Sequence, residues 1–330
     1  MSELRKDPTR GRWVLVRPKT AAEAPPNDCP FCPGNESLTP LEIQAYRGDC
    51  SSSGWLVRVI PEIDPFFRVE DDLVREGVGL YDRISPRGAT ELIVESPAHD
   101  DTPATMALPQ WERVLWMYRD RLQDLKRDVN IRDILVTRRH RAPGSRIAHP
   151  YSRVTAIPII FDDVRRKLRQ CRDYFEYKRR CIYCDIIRQD MADGTRIIRE
   201  TEHFVVLAPY AARSAYETWI LPKQHACAFE VMLTAEVVVD LAAVLKGYFG
   251  TLAHWLEDPP FELTVYTAPN VAAKILPGEW SSLTDDYHWH MEVSLDPYRR
   301  ARLGGIYVNE TPPEEAARRL RDGWSSEGSS

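Results

Sequence analysis

Cysteine and histidine recur in this chain as two matching series. The first is Cys29 and Cys32 in D-C-P-F-C-P-G-N, then His99 shortly after a proline, then His149 opening H-P-Y. The second is Cys181 and Cys184, then His225 shortly after a proline, then His288 opening H-W-H. Two thiolates with two residues between them can reach one ion, and two imidazoles complete the tetrahedron of a closed Cys₂His₂ zinc site. In the first series Pro33-Gly34 supplies the turn. Each metal would pin three distant segments together. A thioredoxin-like redox role is disfavoured. Neither pair is expected to open a helix directly after a strand, and Pro30-Phe31 and Ile182-Tyr183 do not by themselves make a low-pKa thiol. The chain has seven cysteines, an odd number, and its charged N-terminus Met1–Asp7 shows no secretion signal, so no disulfide framework is expected.

The elements that must carry these groups repeat in the same order. Trp13 to Arg17, Trp55 to Pro61 and Thr90 to Glu95 are aromatic or β-branched runs that read as strands. Trp111, Val114, Leu115, Tyr118, Leu122 and Leu125 fall at helical spacing, which predicts a helix over Pro109 to Asp128. Strands are expected over Ile131 to Thr137 and Val154 to Ile160, and a basic helix over Asp162 to Arg180. After Cys184 the pattern returns: strands at Phe204 to Ala208 and Thr218 to Leu221, a long helix from Ala235 to Glu257 capped by Thr234, then strands at Phe261 to Thr267 and Tyr287 to Leu295. Repeated order at a long period points to duplication of one α+β unit. The expected division is a first half over 1–170 with a zinc site, a second over 171–322, and a disordered Ser/Gly-rich tail over 323–330.

The 330 residues are 43% apolar and 28% charged, an ordinary globular balance. The most apolar stretch, Val231 to Leu245, is interrupted by Glu236 and Asp240 and is too short to span a bilayer. A soluble, cytoplasmic protein is expected. Net charge is −5, yet Arg132 to Arg180 holds 14 Lys/Arg against 5 Asp/Glu. A basic stretch in an acidic chain suits an anionic ligand. A sequence pI near 6.0 argues against duplex DNA and favours a small phosphorylated ligand.

Longer motifs carry a resemblance. L-R-K-D-P-T-R-G-R-W-V from Leu4, C-P-F-C-P-G-N-E from Cys29 and W-L-V-R-V-I-P from Trp55 resemble the galactose-1-phosphate uridylyltransferase family of the histidine-triad superfamily. So do E-L-I-V-E-S-P-A-H-D from Glu91, H-P-Y-S-R from His149, E-T-W-I-L-P-K from Glu217, Y-H-W-H-M-E from Tyr287 and V-N-E-T-P-P-E-E-A-A-R-R-L-R from Val308. The resemblance runs in order from about residue 4 to 322. It implies two tandem histidine-triad-like halves, zinc at Cys29, Cys32, His99 and His149, and a common tendency to dimerise. It also implies transfer of a nucleoside monophosphate between a nucleotide sugar and a sugar phosphate or phosphate. No nucleic-acid or membrane partner is implied.

One family feature is replaced. The family's H-P-H-x-Q uses its second His as the nucleophile that takes the nucleotide, because imidazole is neutral and nucleophilic near neutral pH. Here that position is Tyr151, and the Gln position is Arg153. A phenol stays protonated at neutral pH unless cations surround it. Arg138, Arg146 and Arg153 are the candidates for that role and for holding phosphate. Arg adds charge and a bidentate fork that Gln lacks. His290 holds the equivalent position in the second half and is an alternative nucleophile. Arg12, Glu62 and Asn309 are further candidate substrate contacts by their place in the matched motifs. The rival readings are a zinc-stabilised nucleotide-binding protein without turnover, and a hydrolase or transferase working through His290.

Overall fold

In a computed structural model the described residues are 2–18, 28–48, 54–143, 147–273, 280–295 and 302–327. The chain opens with β1 (Glu3–Lys6), β2 (Trp13–Val16), β3 (Gln44–Tyr46), β4 (Val57–Pro61), β5 (Arg75–Val78), β6 (Tyr81–Ile84) and β7 (Ala89–Val94). Helix α1 (Leu108–Leu125), β8 (Asp133–His140) and β9 (Tyr151–Ile157) follow. Next come α2 (Asp162–Lys178), α3 (Ile182–Asp193), β10 (Ile197–Glu200), β11 (Phe204–Leu207) and β12 (Thr218–Pro222). The chain continues through α4 (Phe229–Met232), α5 (Ala235–Trp255), β13 (Phe261–Tyr266), α6 (Leu283–Asp286) and β14 (His290–Leu295). The short strands β15 (Arg302–Leu303) and β16 (Ile306–Tyr307) and helix α7 (Pro313–Glu327) end it.

The repeated order becomes a repeated geometry. One antiparallel sheet of ten strands runs β3-β4-β7-β9-β8-β13-β14-β12-β11-β10. Its two five-strand halves are mirror images in order, so β7-α1-β8-β9 corresponds to β12-α5-β13-β14. They join where β8 pairs with β13, Val136 opposite Val265. The chain is thus α+β with two tandem copies of one unit sharing a sheet.

The central strands of this sheet are covered on both faces, by different layers. On one face α1 and α5 lie side by side. Trp111, Val114 and Tyr118 of α1 and Leu241, Leu245 and Phe249 of α5 share a single core with Val154 and Ala156 of β9 and Met291 and Val293 of β14. The predicted cap of α5 is present, with Thr234 Oγ1 accepting from Val237 N. By length and composition α5 could cross a membrane, but ten of its residues are buried in this core, the ordinary situation of a central helix. On the opposite face the halves differ. In the second half α2 and α3 cover the sheet, with Val164, Leu168 and Ile187 against Val205, Leu207 and Leu221. In the first half the cysteine knuckle covers β4 and β7, with Phe31 and Trp55 against Ile60, Leu92 and Val94, and the small sheet β2-β1-β6-β5 packs Leu4 and Ile84 on Ile157 and Ile159 at the far end of β9.

Two expectations change. A boundary at residue 170 would cut through α2, whose apolar face packs mainly with α3, β11 and β12 of the second half. The tail expected to be disordered from 323 is instead helical to Glu327. Trp324 packs against the α1/α5 core, over Gly247 of α5, where an added Cβ would lie only 2.6 Å from the indole nitrogen. Trp324, Trp255 packed on Gly323, and Arg321 Nη1 donating to Gly194 O at 3.0 Å together hold the last turns of α7 in place.

Candidate functional site: two Cys/His clusters and the exposed end of β9

The first cysteine pair forms a tight knuckle. Cys32 N donates to Cys29 O at 3.3 Å, Asn35 N to Cys32 O at 3.1 Å and Asn35 Nδ2 to Cys29 O at 2.8 Å. Gly34 takes φ +92°, a conformation that costs residues with a Cβ. His99 follows β7 and His149 precedes β9, and these neighbouring strands bring both rings to the knuckle. Cys32 Sγ lies 3.3 Å from His99 Nδ1 and 3.8 Å from His149 Nδ1, and Cys29 Sγ lies 3.8 Å from His149 Nδ1.

The second series converges in the same way. Cys184 Sγ is 3.3 Å from His225 Nδ1 and 3.6 Å from His288 Nδ1, with Cys181 Sγ 4.0 Å from His288 Nδ1. Here the cysteine pair does open a helix, since Cys181 is the N-cap of α3, although a helix and not a strand precedes it.

Both clusters fit a metal. All four donor atoms in each lie within 4.8 Å of one another. Bond lengths of about 2.3 Å to sulfur and 2.0 Å to nitrogen in a tetrahedron put sulfur and nitrogen about 3.5 Å apart. His149 Nε2 donates to Ser96 O at 2.7 Å, His288 Nε2 to Pro222 O at 3.0 Å and His225 Nε2 to Thr284 O at 2.8 Å. These carbonyls hold the ring proton on Nε2 and leave the Nδ1 lone pair facing the thiols, as outer partners of metal-bound imidazoles do. Burial pushes His149 down, toward the neutral form a metal takes. Burial and then Cys29 push the Cys32 thiol up to about 11, a penalty that a bound cation removes. In the second cluster the hydrogen bond from Cys181, and then those from both histidines, hold Cys184 down at about 3, the thiolate form a metal takes.

Tyr151 and His290 begin equivalent strands but have opposite surroundings. Tyr151 is half-buried beside the knuckle, its ring edge-on to Phe31 at 5.5 Å. Neighbouring Arg153 is on the same face. Its Nη2 donates to Glu62 Oε1 at 2.5 Å, while Arg153 Nε and Glu62 Oε2 are buried and find no hydrogen-bond partner among the described residues. Unmet buried polar atoms are costly and call for a further partner, from water or a ligand.

His290 is fully buried. Its Nδ1 donates to His288 O at 2.9 Å and its Nε2 accepts from Lys167 Nζ at 3.0 Å. Burial and then Lys167 push it down to about 4. It is neutral, and its lone pair is occupied. Lys167 also pairs with Glu292, and Arg213 Nη2 donates to Glu292 Oε2 at 2.7 Å. Burial alone would raise the Glu292 carboxyl, but Lys167, His290 and Arg213 outweigh it and hold it well below the usual range. The arrangement ties α2 to β14. Glu292→Gln leaves Lys167 without a carboxylate partner and Arg213 with Glu217 alone, and is expected to cost about 3 kcal/mol in chemical denaturation, at the low end for such pairs because Lys167 keeps some exposure and Arg213 keeps one partner. An unchanged midpoint would show that the cluster does not hold the strand.

Several predicted contacts lie elsewhere. Arg138 pairs with Ser152, not Tyr151, in the β8–β9 register, so it faces the helices. It is 2% exposed, with Nε donating to Glu95 Oε2 at 2.8 Å, and cannot touch a ligand beside Tyr151. Arg12 is exposed on the β1–β2 hairpin, whose sheet packs on Ile157 and Ile159 at the far end of β9. Asn309 spends its amide within the chain, Nδ2 donating to Ala212 O at 3.2 Å and Oδ1 accepting from Thr311 N at 3.0 Å. Arg146 lies outside the described residues. Sequence reasoning missed Glu95. It is fully buried and accepts from Tyr118 and Ser152 as well as Arg138, steadying the backbone on either side of Tyr151. A carboxylate at the end of an apolar strand was its only signal.

No protein-family model matches the chain. It is 28% identical over 340 residues to an ADP-glucose phosphorylase of Arabidopsis thaliana, covering 97% of this chain and 92% of that protein. It is 26% identical over 345 residues to a galactose-1-phosphate uridylyltransferase of Thermotoga maritima, covering 98% of each. A crystal structure of an ADP-glucose phosphorylase from Arabidopsis thaliana with bound ADP-glucose superposes with a TM-score of 0.74 at 27% identity, over 98% of this chain and 99% of that one. From one end to the other, this chain is a homologue of galactose-1-phosphate uridylyltransferases and ADP-glucose phosphorylase.

Proposed function

We propose that the protein transfers a nucleoside monophosphate from a nucleotide sugar to phosphate or a sugar phosphate, at the end of β9 where Tyr151 and Arg153 face away from α1. The observation that carries this reading is the pair of unmet atoms, Arg153 Nε and Glu62 Oε2, beside a half-buried Tyr151. A guanidinium with free donors suits a phosphate oxygen. A carboxylate oxygen without a partner suits a ribose hydroxyl. The relatives named for this chemistry support the same class.

In this mechanism the Tyr151 phenolic oxygen attacks the α-phosphorus. The bond from that phosphorus to the leaving sugar phosphate breaks, and the phenolic proton leaves with the departing phosphate. The acceptor oxygen then attacks the same phosphorus, the bond to Tyr151 breaks, and the phenol regains a proton. Arg153 holds the charge that builds on the phosphoryl oxygens. The metal in both clusters is zinc in this reading, because the donor sets are Cys₂His₂. Four protein ligands leave no open position, so zinc supplies structure and not a Lewis acid. Held this way, the protein works as a cytoplasmic enzyme of carbohydrate metabolism.

The test is isotope exchange by metal-replete protein, with UDP-glucose or ADP-glucose as donor and labelled phosphate or glucose 1-phosphate as acceptor. Exchange with one pair is expected, and silence across all four would overturn the reading. A second reading, binding without turnover, is favoured by one observation: no described side chain hydrogen-bonds the Tyr151 hydroxyl to act as its base. In that case ADP-glucose or UDP-glucose raises the melting temperature by mass action and is recovered intact.

A further inference from the structure

The basic stretch noted in the sequence is not absorbed by the site at Tyr151. Arg165, Arg169 and Arg172 recur at helical spacing along α2 and turn one face toward a cavity of about 430 Å³, within the range of small-molecule sites. Lys6 of β1, Arg75 of β5 and Arg132 line the same cavity. Against six cationic side chains there is one carboxylate, Asp286. It is 3% exposed and accepts from Ser282 Oγ at 2.6 Å. Trp13 and Trp280 add aromatic walls, and the Trp280 indole nitrogen is buried with no hydrogen-bond partner among the described residues.

A solvated helix face would explain α2 alone. It does not explain why two further strands deliver cations to the same hollow. Arg165 is held by Ile160 O at 3.0 Å and Asp162 at 3.3 Å, while three of the other cations make only weak ion pairs. Arg169 lies 3.7 Å from Asp173, Arg172 3.0 Å from Glu176 and Lys6 3.6 Å from Asp82, all at the surface. Such pairs contribute about 0–1 kcal/mol each and give way to a phosphate. Arg75 has no carboxylate partner among the described residues. The floor is firm, since α6 supplies Ser282-side contacts and is tied to the second cluster through His225 Nε2 and Thr284 O.

We propose that this cavity is a binding site for a small ligand carrying two or more phosphate charges, separate from the transfer site. Pro158, Ile159 and Ile160 line it, just past the end of β9, while Tyr151 begins that strand. At about 3.3 Å per residue the two sites are roughly 20 Å apart. The site does not rest on the transfer reading. Its test reads binding, so exchange activity can fail while binding holds, and the reverse.

The experiment is calorimetric titration of the full chain with inorganic pyrophosphate. The variants are Arg169→Glu with Arg172→Glu, Arg75→Ala, and Arg153→Gln. The reversed residues are well exposed, so the melting temperature without ligand checks that the fold is intact. Pyrophosphate is expected to bind, to weaken at least tenfold in the double variant and about threefold in Arg75→Ala, and in Arg153→Gln to keep the binding that the double variant removes. Sodium sulfate at matched ionic strength should not reproduce the heat. An isotherm unchanged in the double variant, loss of binding in Arg153→Gln instead, equal binding of sulfate, or no binding by the wild type would each overturn the proposal.

Discussion

Cys32→Ser is expected to release one equivalent of metal per chain and to lower the melting temperature by at least about 10 °C. Structural zinc contributes roughly 10–16 kcal/mol of apparent binding free energy in small zinc peptides. A whole domain is stable by only about 5–15 kcal/mol, so even half the metal's contribution is decisive. In this protein the knuckle of the first cluster is the main cover over β4 and β7 on the face opposite α1. Phe31, between the two cysteines, is fully buried against Ile60, Leu92 and Val94. Losing the ion frees the knuckle, exposes that apolar face and unseats His149, two residues before Tyr151. A matching change in the second cluster should cost less, because α2 and α3 keep their own packing there. Elemental analysis and thermal melting read the result. Protein purified without chelator that holds no metal, or a Cys32→Ser variant with an unchanged melting temperature, would contradict the assignment.

Tyr151→Phe should abolish transfer, by about a thousandfold or more in kcat, with little change in KM. The substitution removes a single oxygen, while the ring keeps its edge-on packing on Phe31 at 5.5 Å. Binding through Arg153 and Glu62 is left in place, so the loss should fall on the chemical step. Mass spectrometry of the intact wild type after incubation with UDP-glucose or ADP-glucose should show a nucleotide adduct on Tyr151, absent from the variant. Tyr151→His restores an imidazole, which is neutral and nucleophilic at neutral pH, and should raise the rate above wild type. If Tyr151→Phe still catalyses exchange and no adduct forms, the acceptor attacks directly and Tyr151 is a wall of the pocket.

Local composition made much of this legible. Paired cysteines two residues apart and the repeated order of cysteine, histidine, helix and histidine named all eight cluster donors, because coordination demands particular atoms whatever the fold around them. Strong periodicity marked α1, α2 and α5 to within a few residues. The short strands β1, β3, β5, β6 and β10 escaped notice, since runs of three or four residues, several of them exposed, lack a repeating apolar signal.

Facing could not be read along the chain. Arg138 and Arg153 are both arginines on adjacent strands, yet register pairs Arg138 with Ser152 and sends it into the helices, while Arg153 meets Glu62 on the other side. Side chains alternate faces at every residue, so one step in pairing reverses the outcome. The same holds for Tyr151 and His290, equivalent by position in the repeat. Packing of α2 and α3 closes over one, and nothing comparable covers the other. Residue type and spacing state which groups can coordinate an ion. Which of them meets solvent depends on layers brought together from distant stretches of chain, and that requires the assembled protein.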